Sequence, residues 1–130
     1  MKIRRIDHVS INVTDAARSY AFYRGVLGFN QLETVDCGEF DITYFELPGE
    51  ARLELFDYRG KNAAGARRDE SEEGLRHIAF EVQDVAEHEK MLRAAGVPIT
   101  LPTTQLPNLG VRVLLFADPD GVTLEFCERL

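Results

Sequence analysis

Over 8–13, Val9, Ile11 and Val13 alternate with His8, Ser10 and Asn12. Over 77–82, Ile78, Phe80 and Val82 alternate with His77, Ala79 and Glu81. A period of two predicts half-buried strands. Leu53 and Leu55 flank Glu54, and Leu124 and Phe126 flank Glu125, in the same way. In all four strands the apolar row can face a core, which leaves His or Glu on the opposite face. A helix follows each histidine strand. Asp15 caps the first, which bears Ala17, Tyr20, Ala21 and Val26 and ends near Gly28. Asp84 caps the second, with Glu87 placed for a capping box; it carries Val85, Met91, Leu92 and Ala95 and stops at Gly96, with Pro98 beyond. Strand-like runs cover 30–37, 40–47 and 52–58, then 97–102, 111–117 and 122–128. Pro48-Gly49 and Asp118-Pro119-Asp120-Gly121 supply the turns before the last strand of each set.

The chain is therefore a repeat, βαβββ twice, each half opening on a histidine strand and closing on a glutamate strand. The expected fold class is α+β: one domain over 1–130, with a first module over about 1–58 and a second over about 75–130. A pseudo-twofold relates the modules, and a curved mixed sheet surrounds a metal-binding cavity. The connection 59–74, rich in Gly, Ala and charge, reads as an exposed crossover; the alternative makes 69–73 the first turn of a short helix. Arg67, Arg68, Asp69 and Glu70 read as a solvated run.

Composition narrows the function. The 130 residues carry 15 Lys and Arg against 22 Asp and Glu, a net charge of −7. Nucleic-acid binding needs a basic face, so no nucleic-acid partner is expected. No apolar run approaches the ~18–20 residues of a membrane span, and no apolar stretch follows the basic start as in a signal peptide. Cys37 and Cys127 are too few for a disulfide framework. A cytoplasmic protein without a membrane partner is expected.

The chemistry resides in the repeated positions. His8, Glu54, His77 and Glu125 offer two imidazoles and two carboxylates, a set suited to one divalent transition metal such as Zn, Ni, Co, Mn or Fe. Any one of them alone would read as a surface or hydrogen-bonded residue. Four at equivalent places in both halves favour a metal site. His88 has no counterpart in the first half and reads as structural. Phe22 and Tyr23 read as helix core. Cys127 shares the face of Glu125 and reads as a buried, inert thiol. Arg52 and Arg112 could bring positive charge to the inner face, or lie on the surface.

The stretches Ile6-Asp7-His8-Val9-Ser10-Ile11, Phe22-Tyr23-Arg24-Gly25-Val26-Leu27-Gly28-Phe29, Arg76-His77-Ile78-Ala79-Phe80-Glu81-Val82 and Phe116-Ala117-Asp118-Pro119-Asp120-Gly121-Val122-Thr123-Leu124-Glu125-Phe126 resemble the vicinal oxygen chelate superfamily. That superfamily includes glyoxalase I, extradiol dioxygenases, methylmalonyl-CoA epimerase and bleomycin resistance proteins. The ligand order His8, Glu54, His77, Glu125 resembles short bacterial glyoxalase I. The resemblance implies a lyase or isomerase like lactoylglutathione lyase, moving a proton beside a carbonyl through a metal-bound enediolate. Glu125 is then the leading base, and Glu54 could serve the opposite face.

The implied cofactor is one divalent ion, Ni, Zn, Co or Mn ahead of Fe. The implied partners are a small-molecule substrate, such as a thiol adduct, and a second copy of the chain in a homodimer. The alternatives are an extradiol-type Fe(II) dioxygenase, which uses fewer protein ligands, and a non-catalytic small-molecule binding or antibiotic resistance protein. Asn12 and Tyr58 stand where glyoxalase I has an arginine and an asparagine that help hold glutathione.

Overall fold

The computed structural model describes residues 1–61, 71 and 73–130. The chain divides into two units, Met1–Gly65 and Ala66–Leu130. Most of the connection 59–74 lies outside the described residues, and with it the solvated run at 67–70 and most of the alternative helical turn at 69–73.

The first unit runs β1 (His8–Val13), α1 (Ala16–Tyr20), a π-helical continuation (Ala21–Val26), β2 (Gln31–Asp36), β3 (Asp41–Leu47), a 3-10 turn (Pro48–Glu50) and β4 (Ala51–Asp57). Its sheet has the order β1-β4-β3-β2, with β1 parallel to β4 and the other pairs antiparallel. Asp15 starts the helix as expected, its side chain accepting from the Arg18 N–H at 3.0 Å. The helix then widens, with Leu27 N–H bonding to the Phe22 carbonyl, five residues back, at 3.0 Å. Gly28, at φ 73°, takes the left-handed conformation that ends it.

Ile11, Val13, Leu53, Leu55 and Phe45 are buried on the side that meets the helix, together with Phe22 and Tyr23. Tyr23 packs on Phe45 with ring centroids 6.1 Å apart. Thr43 is a buried hydroxyl in this core, and contacts to Tyr20 Oη at 2.6 Å and Thr34 Oγ1 at 2.7 Å satisfy it. Phe22 and Tyr23 are thus core residues. Arg59, at the edge of the expected crossover, binds Asp36, Asp41 and the Gly38 carbonyl, which ties the end of β4 to the β2–β3 hairpin.

The second unit runs β5 (Ile78–Glu81), α2 (Val85–Ala94), β6 (Ile99–Leu106), a 3-10 turn (Pro107–Leu109), β7 (Val111–Ala117) and β8 (Thr123–Arg129). Its sheet order, β5-β8-β7-β6, reproduces that of the first unit, including the parallel pair. The fold class is therefore α+β with two similar modules, each carrying its own four-stranded mixed sheet. Val85 and Leu92 of α2 lie buried, as do Leu114, Phe116, Leu124 and Phe126 of the sheet. His88 is structural: its ring packs edge-on against Phe126 at 5.1 Å, and Nδ1 donates to the Asp84 carbonyl.

Most boundaries shift from the sequence reading by a residue or two, and two of the differences matter here. His77 lies just before β5 rather than within it. β6 extends past Pro102 to Leu106, because register shifts accommodate the proline and the Thr103 N–H leaves the ladder to donate to Glu89. In the DPDG turn, buried Asp118 accepts the N–H groups of Asp120 and Val122 through Oδ1. Among the described residues no helix is long and apolar enough to cross a membrane.

Candidate functional site

The parallel pairing of β1 with β4 decides which polar side chains meet. On the sheet face opposite the helix, the register sets three rows: His8, Arg52 and Glu46; Ser10, Glu54 and Tyr44; Asn12, Phe56 and Ile42. Across two rows, His8 Nε2 comes within 3.7 Å of Glu54 Oε2. The Ser10 hydroxyl donates to the same carboxylate oxygen at 2.7 Å. On the other edge of the imidazole, Nδ1 donates to Asp7 Oδ2 at 2.9 Å. This bond, with Glu54's charge nearby, raises the His8 pKa above the ordinary imidazole value, and it lowers that of Asp7. Glu54 is nearly enclosed, its side chain 11% exposed, while that of His8 is 47% exposed.

A cavity of about 730 Å³ opens beside this pair, lined by Arg5, Asp7, His8, Tyr44, Arg52 and Glu54 among others. That is the size of a small-molecule site. Arg52 does face this side: its guanidinium lies over the Tyr44 ring at 5.1 Å and pairs with Glu33 at 3.3 Å. Farther along the face, Phe40 contacts Phe56 at 5.2 Å and Tyr58 at 5.1 Å. Asn12 neighbours Phe56 in the register, so this part of the face is aromatic and uncharged.

The second unit repeats the central contact, with His77 Nε2 lying 3.3 Å from Glu125 Oε2. The surroundings differ. In the register Glu125 stands between Ala79 and Leu115, and Cys127 next to Val113. Cys127 is half-buried rather than buried; it packs on the apolar cluster of Val111, Val113 and Leu115, and this partial burial raises its thiol pKa. His77 Nδ1 is buried and has no hydrogen-bond partner among the described residues. Arg112 lies on the opposite side from Glu125: it shares a row with Glu128 and pairs with it at 3.0 Å, so it brings no charge to Glu125's face. The strand period sets this, since Val111 and Val113 take the other side.

The donor chemistry suits a divalent transition metal, and so does the spacing. Two N or O ligands, each about 2.0–2.2 Å from one ion, stand roughly 3.4 Å apart at the tetrahedral angle. The separations of 3.7 Å and 3.3 Å fall near that value. Within each unit the donors come as a pair. Among the described residues no group of three or more His, Cys, Asp and Glu side chains gathers to hold an ion. Asp7 and Ser10 were not singled out by sequence reasoning. The signal was present, however: Ser10 falls on His8's side by the period of two, and Asp7 adjoins the histidine.

Comparison with known proteins agrees with this architecture. The chain matches the family profile described as Glyoxalase/Bleomycin resistance protein/Dioxygenase superfamily over residues 5–126. The lactoylglutathione lyase of Haemophilus influenzae is 30% identical over 129 residues, spanning 96% of this chain and 93% of that protein. YaeR of Escherichia coli, an uncharacterized protein, is 31% identical over 132 residues, spanning 98% of each. The crystal structure of a glyoxalase family protein from Enterococcus faecalis superposes with a TM-score of 0.82 at 31% identity, covering 98% of this chain and 100% of that one. The chain belongs to the Glyoxalase/Bleomycin resistance protein/Dioxygenase superfamily.

Proposed function

We propose that the protein is a metal-dependent lyase or isomerase of the glyoxalase I type, moving a proton on the carbon beside a carbonyl of a small-molecule substrate. The observation that carries this reading is the repetition of one contact, His Nε2 to Glu Oε2, at corresponding positions of both units. His8, Glu54, His77 and Glu125 are the proposed ligands, and Ni, Zn, Co or Mn the proposed ion. When bound, such an ion supplies Lewis-acid stabilisation of the charge that develops on substrate oxygen.

The protein's own groups handle the proton. Glu125 is the proposed base: its row neighbours Ala79 and Leu115 bring no side-chain donor that would fix its carboxylate. Glu54 already accepts from Ser10, which suits a fixed ligand, and it could serve the opposite face of the substrate as a second acid–base group. Similarity to a lactoylglutathione lyase supports a thiol adduct of an α-oxoaldehyde as substrate. The uncharged face around Asn12, Phe56 and Tyr58 favours a carrier less polar than glutathione. A homodimer in the cytoplasm completes the proposal, and light scattering of the purified protein tests the dimer.

The function is tested by metal analysis of protein purified without chelator, followed by a screen of hemithioacetals made from glutathione and from smaller thiols. Ni, Co, Zn or Mn with turnover of one adduct is expected. Iron with oxygen uptake would replace this reading by ring-cleaving dioxygenase chemistry, and protein that binds no metal would leave a sequestering role.

A further inference from the structure

We infer that Asp7 and Ser10 are positioning residues that hold the first-unit pair ready for metal, a device the second-unit pair lacks; this rests on the metal-site reading above. An ionised carboxylate only accepts hydrogen bonds, so the Asp7 contact at 2.9 Å fixes the proton of His8 on Nδ1. In the neutral ring the Nε2 lone pair then lies on the edge that faces Glu54, the edge a metal needs. Ser10 acts on the other ligand in the same way. Its hydroxyl donates to Glu54 Oε2 at 2.7 Å and restrains the carboxylate, which would otherwise rotate about its last bonds. Such outer contacts orient the ligands and raise their affinity for metal.

Among the described residues this support belongs to one half only. The residues equivalent to Asp7 and Ser10 are Arg76 and Ala79. Arginine has no acceptor to offer an imidazole N–H, and alanine has no donor to offer a carboxylate. Accordingly, His77 Nδ1 is buried and unpartnered among the described residues. The first pair therefore works as a fixed anchor, while among the described residues no hydrogen bond of this kind orients the second.

The test is titration of metal-free protein with Co(II), followed by its absorption bands, for the parent and for Asp7→Ala, Asp7→Asn, Ser10→Ala and Ser10→Thr. Nitrogen-15 spectra of the His8 ring and the carbon-13 signal of the Glu54 carboxyl are recorded on the same metal-free samples. Asp7→Ala is expected to weaken Co(II) binding roughly 10- to 100-fold and to release His8 from its Nδ1–H form. Asp7→Asn, whose amide oxygen still accepts, should retain much of both. Ser10→Ala should weaken binding and shift the Glu54 signal, and Ser10→Thr should restore them. Parental affinity in both alanine variants, with unchanged His8 and Glu54 spectra, would overturn the inference. If the parent itself binds no Co(II), the metal-site reading fails. In that case the spectra of the metal-free variants still decide whether Asp7 and Ser10 hold His8 and Glu54.

Discussion

His77 Nε2 faces Glu125 Oε2 at 3.3 Å, while the other nitrogen of the same ring is buried without a hydrogen-bond partner among the described residues. Among the described residues His77 is the polar contact of Glu125, and its row neighbours Ala79 and Leu115 offer no hydroxyl such as that of Ser10. Glu125→Gln keeps the shape and one ligating oxygen but cannot take up a proton. Turnover of the adduct found in the screen should fall by about 10²–10⁴-fold, with most of the metal retained. Steady-state kinetics and metal content measured on one preparation check this, and full activity in the variant would remove Glu125 as the base.

The two histidines should behave differently from the glutamate. His8→Ala and His77→Ala each delete a proposed nitrogen ligand, so bound metal and activity should be lost together. Elemental analysis after desalting, with circular dichroism to confirm folding, separates this from simple unfolding. A variant that retains a full equivalent of metal would show that the residue is no ligand.

Glu89 joins α2 to β6. Its Oε2 accepts the Thr103 N–H at 2.7 Å, and its Oε1 accepts Arg93 Nε at 2.8 Å. Thr103, with Arg93, holds its pKa down to about 2, from an ordinary 4.5. The folded value lies below the unfolded one, so this carboxylate's stabilisation is complete above the unfolded value and is lost as pH falls through the folded one. Glu89→Gln should cost about 1–2 kcal/mol at neutral pH. The gap from the parent should narrow as the pH is lowered from about 5 to about 2. Urea melts across that range check the prediction, and a gap independent of pH would contradict it.

Asp84 caps α2 by accepting the Glu87 N–H at 2.9 Å, and Glu128 Oε2 accepts the Val85 N–H at 3.1 Å. Asp84→Ala should destabilise the protein by about 1 kcal/mol, and Asp84→Ser, which restores a capping oxygen, should recover most of it. Thermal melting at neutral pH measures both variants.

Much of the fold was legible because its signals are local. Asp15 and Asp84 cap helices through bonds to the third residue beyond them, and the alternation around Ile11 and Phe80 marks strands over six residues or so. The boundary errors come from contacts between distant segments. Pro102 reads as a strand end, yet β6 continues because the displaced Thr103 N–H finds Glu89, 14 residues away. The side taken by Arg112 follows from the local period of β7, but its partner Glu128 is fixed only by the pairing of β7 with β8. The four candidate ligands are legible through the duplication, whereas Asp7 and Ser10 carry a weaker signal, since neither is repeated in the second half.

By itself, the sequence determined that the chain is a duplicated βαβββ unit and that His8 and His77, with Glu54 and Glu125, occupy corresponding positions of the two halves, on the face away from the helices. Periodicity and capping act over a few residues, and a repeat is visible without coordinates. Only the tertiary structure decided that Ser10 reaches Glu54, that His8 turns Nδ1 to Asp7, and that His77 has no such support. Ser10 and Glu54 are 44 positions apart. They meet through the parallel register of β1 on β4, which hydrogen bonds between separate segments establish.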